Sequence, residues 1–216
     1  MAVANAHYEF LYVEIGTNGR VSDGGVFSKT SFNKALTNKK LNIPDPSPLT
    51  FGSEPLPFVF VADDAFPLSP NIMKPYNFRD QSPIRRVFNY RLSRARRVVE
   101  NAFGIVSRFR VFKAPIALHP DKVETIVLAS CALHNFLRRY SKGYVNPQEI
   151  DIEDVSTQTL LQGSWHSLEC SGITGWGASN SRNPSVHAKH VREEYAKHFS
   201  EEGKVSWQNH VLGNSS

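Results

Sequence analysis

Residues 58–64 read Phe-Val-Phe-Val-Ala-Asp-Asp, an apolar run that stops on two adjacent carboxylates. Four aromatic and β-branched residues followed by Ala62 are consistent with a buried strand. Both flanks are punctuated by proline. Residues 43–57 (IPDPSPLTFGSEPLP) hold five, and Pro67, Pro70, Pro75 and Pro83 follow, so loops are expected on each side. Open α/β sheets put their sites where strands end, which makes Asp63 the first candidate for chemistry.

Outward from this run, helices and strands alternate. Upstream, Ala2–Ala4 and Tyr8–Ile15 are expected to pair as a hairpin around Asn5-Ala6-His7, with Gly16 to Gly19 breaking the second strand. Ser22-Asp23 reads as an N-cap pair for one helix through Phe27, Phe32, Leu36 and Leu41. Downstream, the chain turns helical near Ile84, and Val99, Phe103 and Val106 mark an apolar stripe. A second helix is expected over Asp121–Tyr140, with Val123, Ile126, Val127, Leu133 and Leu137 on or near one face. Residues 141–185 are rich in Ser, Gly, Asn and Thr and read as a flexible surface segment. A last helix over about Pro184–Phe199 would bring Val191 and Tyr195 together.

The chain has 216 residues, enough for a sizeable core, and its hydrophobic fraction of 40% is ordinary for a globular protein. No apolar run suits a membrane span, and MAVANAHYEF does not read as a secretory signal. Cys131 and Cys170 make neither a disulfide framework nor a zinc motif, so a reducing compartment is expected. The net charge of +5 is unevenly spread. Residues 74–113 hold eleven Lys and Arg against Asp80 and Glu100, whereas residues 141–216 hold six basic and nine acidic side chains. A cationic middle of this kind fits a phosphate-bearing partner or, equally, a solvated helix face.

Glu100 sits inside that basic stretch, with Arg96 and Arg97 four and three residues before it on the same helix face. By spacing alone Glu100 is more simply an ion-pair partner of those arginines. Paired with Asp63 it becomes a candidate ligand for a hard divalent cation. Cys131 and His134 lie one helical turn apart, which fits a buried helix face better than a metal pair. Asp23 reads as a helix cap.

Five stretches choose between these readings: VSDGGVF (21–27), VFVADDAFPL (59–68), NYRLSRARRVVENAFG (89–104), SRFRVF (107–112) and CALHNFL (131–137). In this order, and with EEGKVSWQ (201–208) at the end, they resemble the Harbinger-type transposase-derived nucleases, an Asp-Asp-Glu family of DNA-cutting domains. The resemblance implies an RNase H-like α/β fold and a site holding Mg²⁺ or Mn²⁺. It assigns the second aspartate to Asp63, with Asp64 ranked behind it, and the glutamate to Glu100. It also implies DNA contacts from Arg94, Arg96, Arg97 and Arg108. Such proteins work with a separate Myb-like DNA-binding partner, and a nuclear location follows by the same resemblance. The implied organisation is an endonuclease domain over 1–140, a variable segment over 141–183 and a C-terminal helix and tail over 184–216.

The family's first aspartate belongs to a motif like IDGTH on the first strand. The 216 residues contain no such motif, and Met1 falls where members have the middle of the second strand. The expectation is therefore an RNase H-like fold lacking its first strand, from a truncated gene model or a decayed copy, and inactive as it stands. The alternative is a domesticated module that binds DNA or chromatin proteins without catalysis.

Overall fold

Asn5 organises the first turn of the chain. Its side-chain oxygen accepts the backbone N–H groups of His7 (2.9 Å) and Glu9 (3.1 Å), and Tyr8 follows in the left-handed region at φ 63°. This turn joins β1 (Ala2–Ala4) to β2 (Phe10–Val13), an antiparallel pair with an irregularity between Val3 and Ala4. The hairpin anticipated from the sequence is present, with the second strand shorter than expected.

The computed structural model describes residues 1–16, 23–77, 79, 82–154, 157, 159–167 and 184–212. They fall into two units, one of Met1–Val21 with Arg97–Trp176, the other of Ser22–Arg96 with Gly177–Ser216.

In the second unit the expected single helix is two. α1 (Asp23–Lys29) ends at Thr30, and α2 (Ser31–Thr37) begins there. Thr30 is 1% exposed, donates its hydroxyl to Phe27 O (2.8 Å) and accepts from Asn33 N (3.0 Å). A buried hydroxyl that satisfies both neighbouring helix ends divides the helix more firmly than apolar periodicity joins it. The expected cap Ser22 lies outside the described residues.

The proline-rich loop contains a two-residue antiparallel pair, β3 (Ser47–Pro48) with β4 (Pro55–Leu56). The Phe58–Ala62 run yields only β5 (Phe60–Val61), parallel to β6 (Ile72–Met73). It is not the fully buried strand expected, since Phe58 is 47% and Val61 40% exposed. Its partner β6 lies in a stretch read as loop.

α3 (Pro83–Val106) carries residues of both units, the second up to Arg96 and the first from Arg97. α4 (Pro120–Tyr140) starts with Pro120 in the first turn, a position that needs no backbone N–H, and matches the expected helix. Within the expected segment of low regularity, β7 (Ile152–Asp154) and β8 (Thr159–Leu161) pair antiparallel and are flanked by 3-10 turns at Pro147–Glu149 and Ser164–Ser167. α5 (Val186–Ser200) is capped by Ser185, whose oxygen accepts Ala188 N at 3.1 Å. Residues 168–183 of the variable segment lie outside the described residues.

Each unit has its own core. In the first, Phe10, Ala102, Val106 and Cys131 are buried, with Phe109, Phe112 and Val127 packed against them. In the second, Leu68, Met73, Tyr76, Phe88, Leu92, Ala188, Val191 and Ala196 are buried, and Tyr195 packs against this cluster, which holds Val191. Burying apolar side chains contributes about 1.5–3 kcal/mol each. The fold is therefore mixed α/β, with short two-stranded sheets among the described residues. No described helix is long and apolar enough to cross a membrane.

Candidate functional site

Asp63 stands two residues past β5, in the second unit. Its Oδ1 accepts the N–H of Ala65 at 2.9 Å and its carbonyl accepts that of Phe66 at 3.3 Å, so the aspartate turns the chain at the strand end. The other carboxylate oxygen has no hydrogen bond among the described residues. Asp64 is differently placed. Lys74, just beyond β6, pairs with its carboxylate at 3.0 Å and donates to its carbonyl at 2.7 Å. A cation already neutralises Asp64, whereas one oxygen of Asp63 has no such partner among the described residues.

Glu100 is exposed on the part of α3 that belongs to the first unit. Arg97 points to a different carboxylate, Glu153 in β7, at 3.2 Å, with 17% and 8% of the two side chains exposed. Asp63 and Glu100 thus belong to different units. Their donor chemistry, carboxylate oxygen, suits Mg²⁺ or Mn²⁺. Among the described residues no three His, Cys, Asp or Glu side chains cluster as a metal-holding group.

Beside Glu100, one face of α3 is occupied by the segment that follows α4. Arg97, Asn101, Gly104 and Arg108 recur at steps of four, three and four, which places them on one helix face. Each has a partner in residues 144–165. Asn101, 2% exposed, accepts Asp151 N at 2.8 Å and donates to Asp151 O at 3.2 Å. The indole N–H of Trp165 reaches Asn101 Oδ1 at 3.4 Å. Gly104 lies under the same indole, and a Cβ there would fall 2.5 Å from Trp165 Cγ. Arg108 pairs with Glu149, donates to Tyr144 O at 2.8 Å and sits 5.1 Å from the Tyr144 ring centroid. Asp151 is buried and accepts from Gly163 N (2.8 Å), while His166 Nε2 lies 2.9 Å from its Oδ1. Part of the segment read as flexible is thus docked by side-chain pairing. The signal that could have found it is Glu149, Asp151 and Glu153 alternating in a stretch otherwise rich in Ser, Gly and Thr.

The arginines expected at DNA divide accordingly. Arg97 and Arg108 end in carboxylates. Arg94 lies over the Trp207 ring, 4.1 Å from its centroid. Arg96 is half-buried on α3. Arg91, not singled out from the sequence, lies 4.0 Å from the Phe199 ring centroid and donates to Gly203 O at 2.7 Å; burial pulls its guanidinium below the usual arginine range.

The motif residues of α4 hold the hairpin. Asn135 binds both backbone groups of Phe10, accepting its N–H at 2.9 Å and donating to its carbonyl at 2.8 Å. His134 is fully buried, with Nε2 2.6 Å from Tyr8 O and Nδ1 3.0 Å from the Tyr144 hydroxyl. Burial pulls its pKa below the ordinary histidine value. Cys131 is buried, and burial pushes its thiol up. Both ring nitrogens of His134 are engaged with these partners.

Residues 1–135 match the family described as DDE superfamily endonuclease, and the chain belongs to that family. It is similar to the protein ALP1-like of Arabidopsis thaliana, 28% identical over 139 residues, which is 63% of this chain and 34% of that protein. The chain thus spans about a third of the relative's length. Both findings bear out the Harbinger-type resemblance. No solved structure matches the chain.

Proposed function

We propose that this chain is the DNA-handling part of a transposase-derived endonuclease with an RNase H-like site, in which Asp63 and Glu100 supply two carboxylates of a divalent-metal centre. The observation that carries the reading is the family match over residues 1–135, which contains both acids. The turn at Asp63 supports it, because one carboxylate oxygen orients the corner and the other is left for a cation. Bound Mg²⁺ or Mn²⁺ would supply Lewis-acid activation of water and of the scissile phosphate. The chain's own part is to present the two carboxylates and to hold the DNA backbone with cations. Arg94, Arg96, Arg97 and Arg108 are the contacts to phosphate in this reading, the last two on opening of their pairs with Glu153 and Glu149. Work alongside a Myb-like DNA-binding partner in the nucleus belongs to the same reading.

Phosphodiester cleavage of this kind needs a third carboxylate to hold both ions, and the 216 residues carry no motif like IDGTH to provide it. The chain alone is therefore expected to bind DNA without cutting it. The test is a cleavage assay on duplex DNA with terminal repeats, in Mg²⁺ and in Mn²⁺. An extended chain carrying an Asp-Gly motif upstream should cut and should lose cutting in Asp63→Ala and in Glu100→Ala. Metal-dependent nicking by the 216-residue chain that vanishes in Asp63→Ala would overturn the need for a further carboxylate.

A further inference from the structure

In the first unit, α4 covers one side of itself and leaves the other bare. Ser130, Cys131 and His134 are buried, whereas Leu128, Ala129, Ala132, Leu133, Phe136 and Tyr140 are exposed. Steps of one, three and four residues place these six on one side of the helix. The larger ones are far from covered: Leu128 is 47%, Leu133 49%, Phe136 58% and Tyr140 74% exposed. The rings of Phe136 and Tyr140 lie 4.9 Å apart and continue the stripe to the end of the helix. No Asp, Glu, Lys or Arg interrupts the sequence between Glu124 and Arg138. A contiguous exposed apolar face of this kind marks a contact surface.

The two ends of the stripe carry opposite charges. Asp121 stands exposed in the first turn of α4 and Arg139 exposed in the last. They are 18 residues apart in the sequence. That is roughly five whole turns, so both lie on the same flank of the stripe. Arg139 gives Nε and Nη2 to Glu9, and its Nη1 has no hydrogen bond among the described residues. Asp121 has only the exposed His119 beside it, at 3.4 Å.

We propose that this face of α4 docks, antiparallel, on the same face of a second copy of the chain. In an antiparallel pair of helices like flanks face each other, so Asp121 of each copy meets Arg139 of the other. A parallel pair would set acid against acid and base against base. Midway between the two charges stand Ala129 and Ala132, whose small side chains let two helix backbones approach closely. The same register sets the exposed Thr125 opposite Phe136, small against large. The face is thus complementary to itself in shape and in charge, as a two-fold contact requires. This docking does not depend on the DNA-handling reading.

The test is sedimentation velocity on the whole chain across a range of concentrations, with thermal unfolding as a companion. A single helix pair is a small interface, so monomer and dimer should exchange over roughly 1–100 µM. Phe136→Glu and Leu133→Lys should stay monomeric throughout and melt no lower than the wild-type monomer, because both side chains face solvent there. Asp121→Arg should weaken the dimer by about tenfold, the effect of two exposed ion pairs turned repulsive. A wild-type chain that is monomeric at every concentration overturns the dimer and hands the face to another occupant. Self-association that survives Phe136→Glu and Leu133→Lys overturns it too, since another surface then carries the contact. A dimer unchanged by Asp121→Arg rules out the antiparallel seating. A clear fall in the melting point of both stripe variants, at concentrations where the wild type is monomeric, would mean that the chain itself covers this face.

Discussion

Three arginines of the first unit pair with carboxylates, whereas three of the second lie on aromatic rings. Arg97 meets Glu153, Arg108 meets Glu149 and Arg139 meets Glu9. Arg91, Arg94 and Arg192 lie over Phe199, Trp207 and Tyr76. An ion pair consumes the field of a cation, while a ring contact fixes the cation in place and leaves its charge intact. Of the eleven basic residues of 74–113, Arg97 and Arg108 are therefore neutralised by carboxylates of their own unit. Within the first unit, Arg97 and Arg108 act as internal wiring.

The largest expected effect tests that wiring at its most buried point. Asn101→Leu leaves both backbone groups of Asp151 without their partner, at about 1–3 kcal/mol for each unsatisfied buried group. A loss of roughly 2–5 kcal/mol in urea unfolding is expected. Hydrogen exchange at Asp151 and Gly163 should accelerate with it. Unchanged protection there would mean that residues 144–165 are not held through Asn101.

Next comes the contrast between the two kinds of arginine. Arg97→Met should destabilise by about 1.5–3 kcal/mol, because its charged hydrogen bond to the largely buried Glu153 is lost. The same change should leave the salt slope of DNA binding where it was. A slope that drops by about 0.9 would show that Arg97 abandons Glu153 to reach phosphate, and would erase the contrast.

Gly104→Ala should cost about 1–3 kcal/mol from the clash with Trp165, reduced by the better helix propensity of alanine, about 1 kcal/mol. Adding Trp165→Leu should return most of the loss. A Gly104→Ala chain more stable than the wild type would show that the indole does not rest on α3.

The smallest effect is at the hairpin. Hydrogen bonds from Arg139 and then from Asn5 hold the Glu9 carboxyl down to about 2 from its ordinary 4.5. A carboxylate depressed in the folded state stabilises fully above its unfolded pKa, and the contribution is lost as pH falls. The window is thus from about pH 4.5 down to about pH 2. Arg139→Gln should move the Glu9 titration, read by NMR, towards 4.5 and flatten the stability profile across that window. A Glu9 titration near 4.5 in the wild type would remove the ion pair from consideration.

What the sequence made legible follows the range of the interactions involved. α4, α5 and the β1–β2 hairpin depend on local periodicity and turn residues, and each was expected in place. Asp63 at a strand end was legible because the apolar run and the acid are adjacent. The break at Thr30 was missed, since a hydroxyl serving two helix ends leaves the apolar spacing of Phe27, Phe32 and Leu36 intact. β6 was missed because two residues beside prolines carry no period. The exposure of Phe103 (49%) and Leu133 (49%), both placed on apolar stripes, was equally hidden. Arg97 and Glu153 are 56 residues apart, so no spacing rule connects them. Lys74 capturing Asp64 depends on β5 and β6 running side by side.

The seating of Trp165 over Gly104 has a consequence for tracing the descent of this chain. Residues 141–185 offer little to align by composition, because one Ser-, Gly- and Thr-rich stretch resembles another. The size of the side chain at 104, however, limits what can stand at 165. Among relatives the two positions should covary, glycine with a large flat ring, a bulkier residue with something smaller. That pairing gives an alignment a fixed anchor inside the stretch where sequence similarity fades.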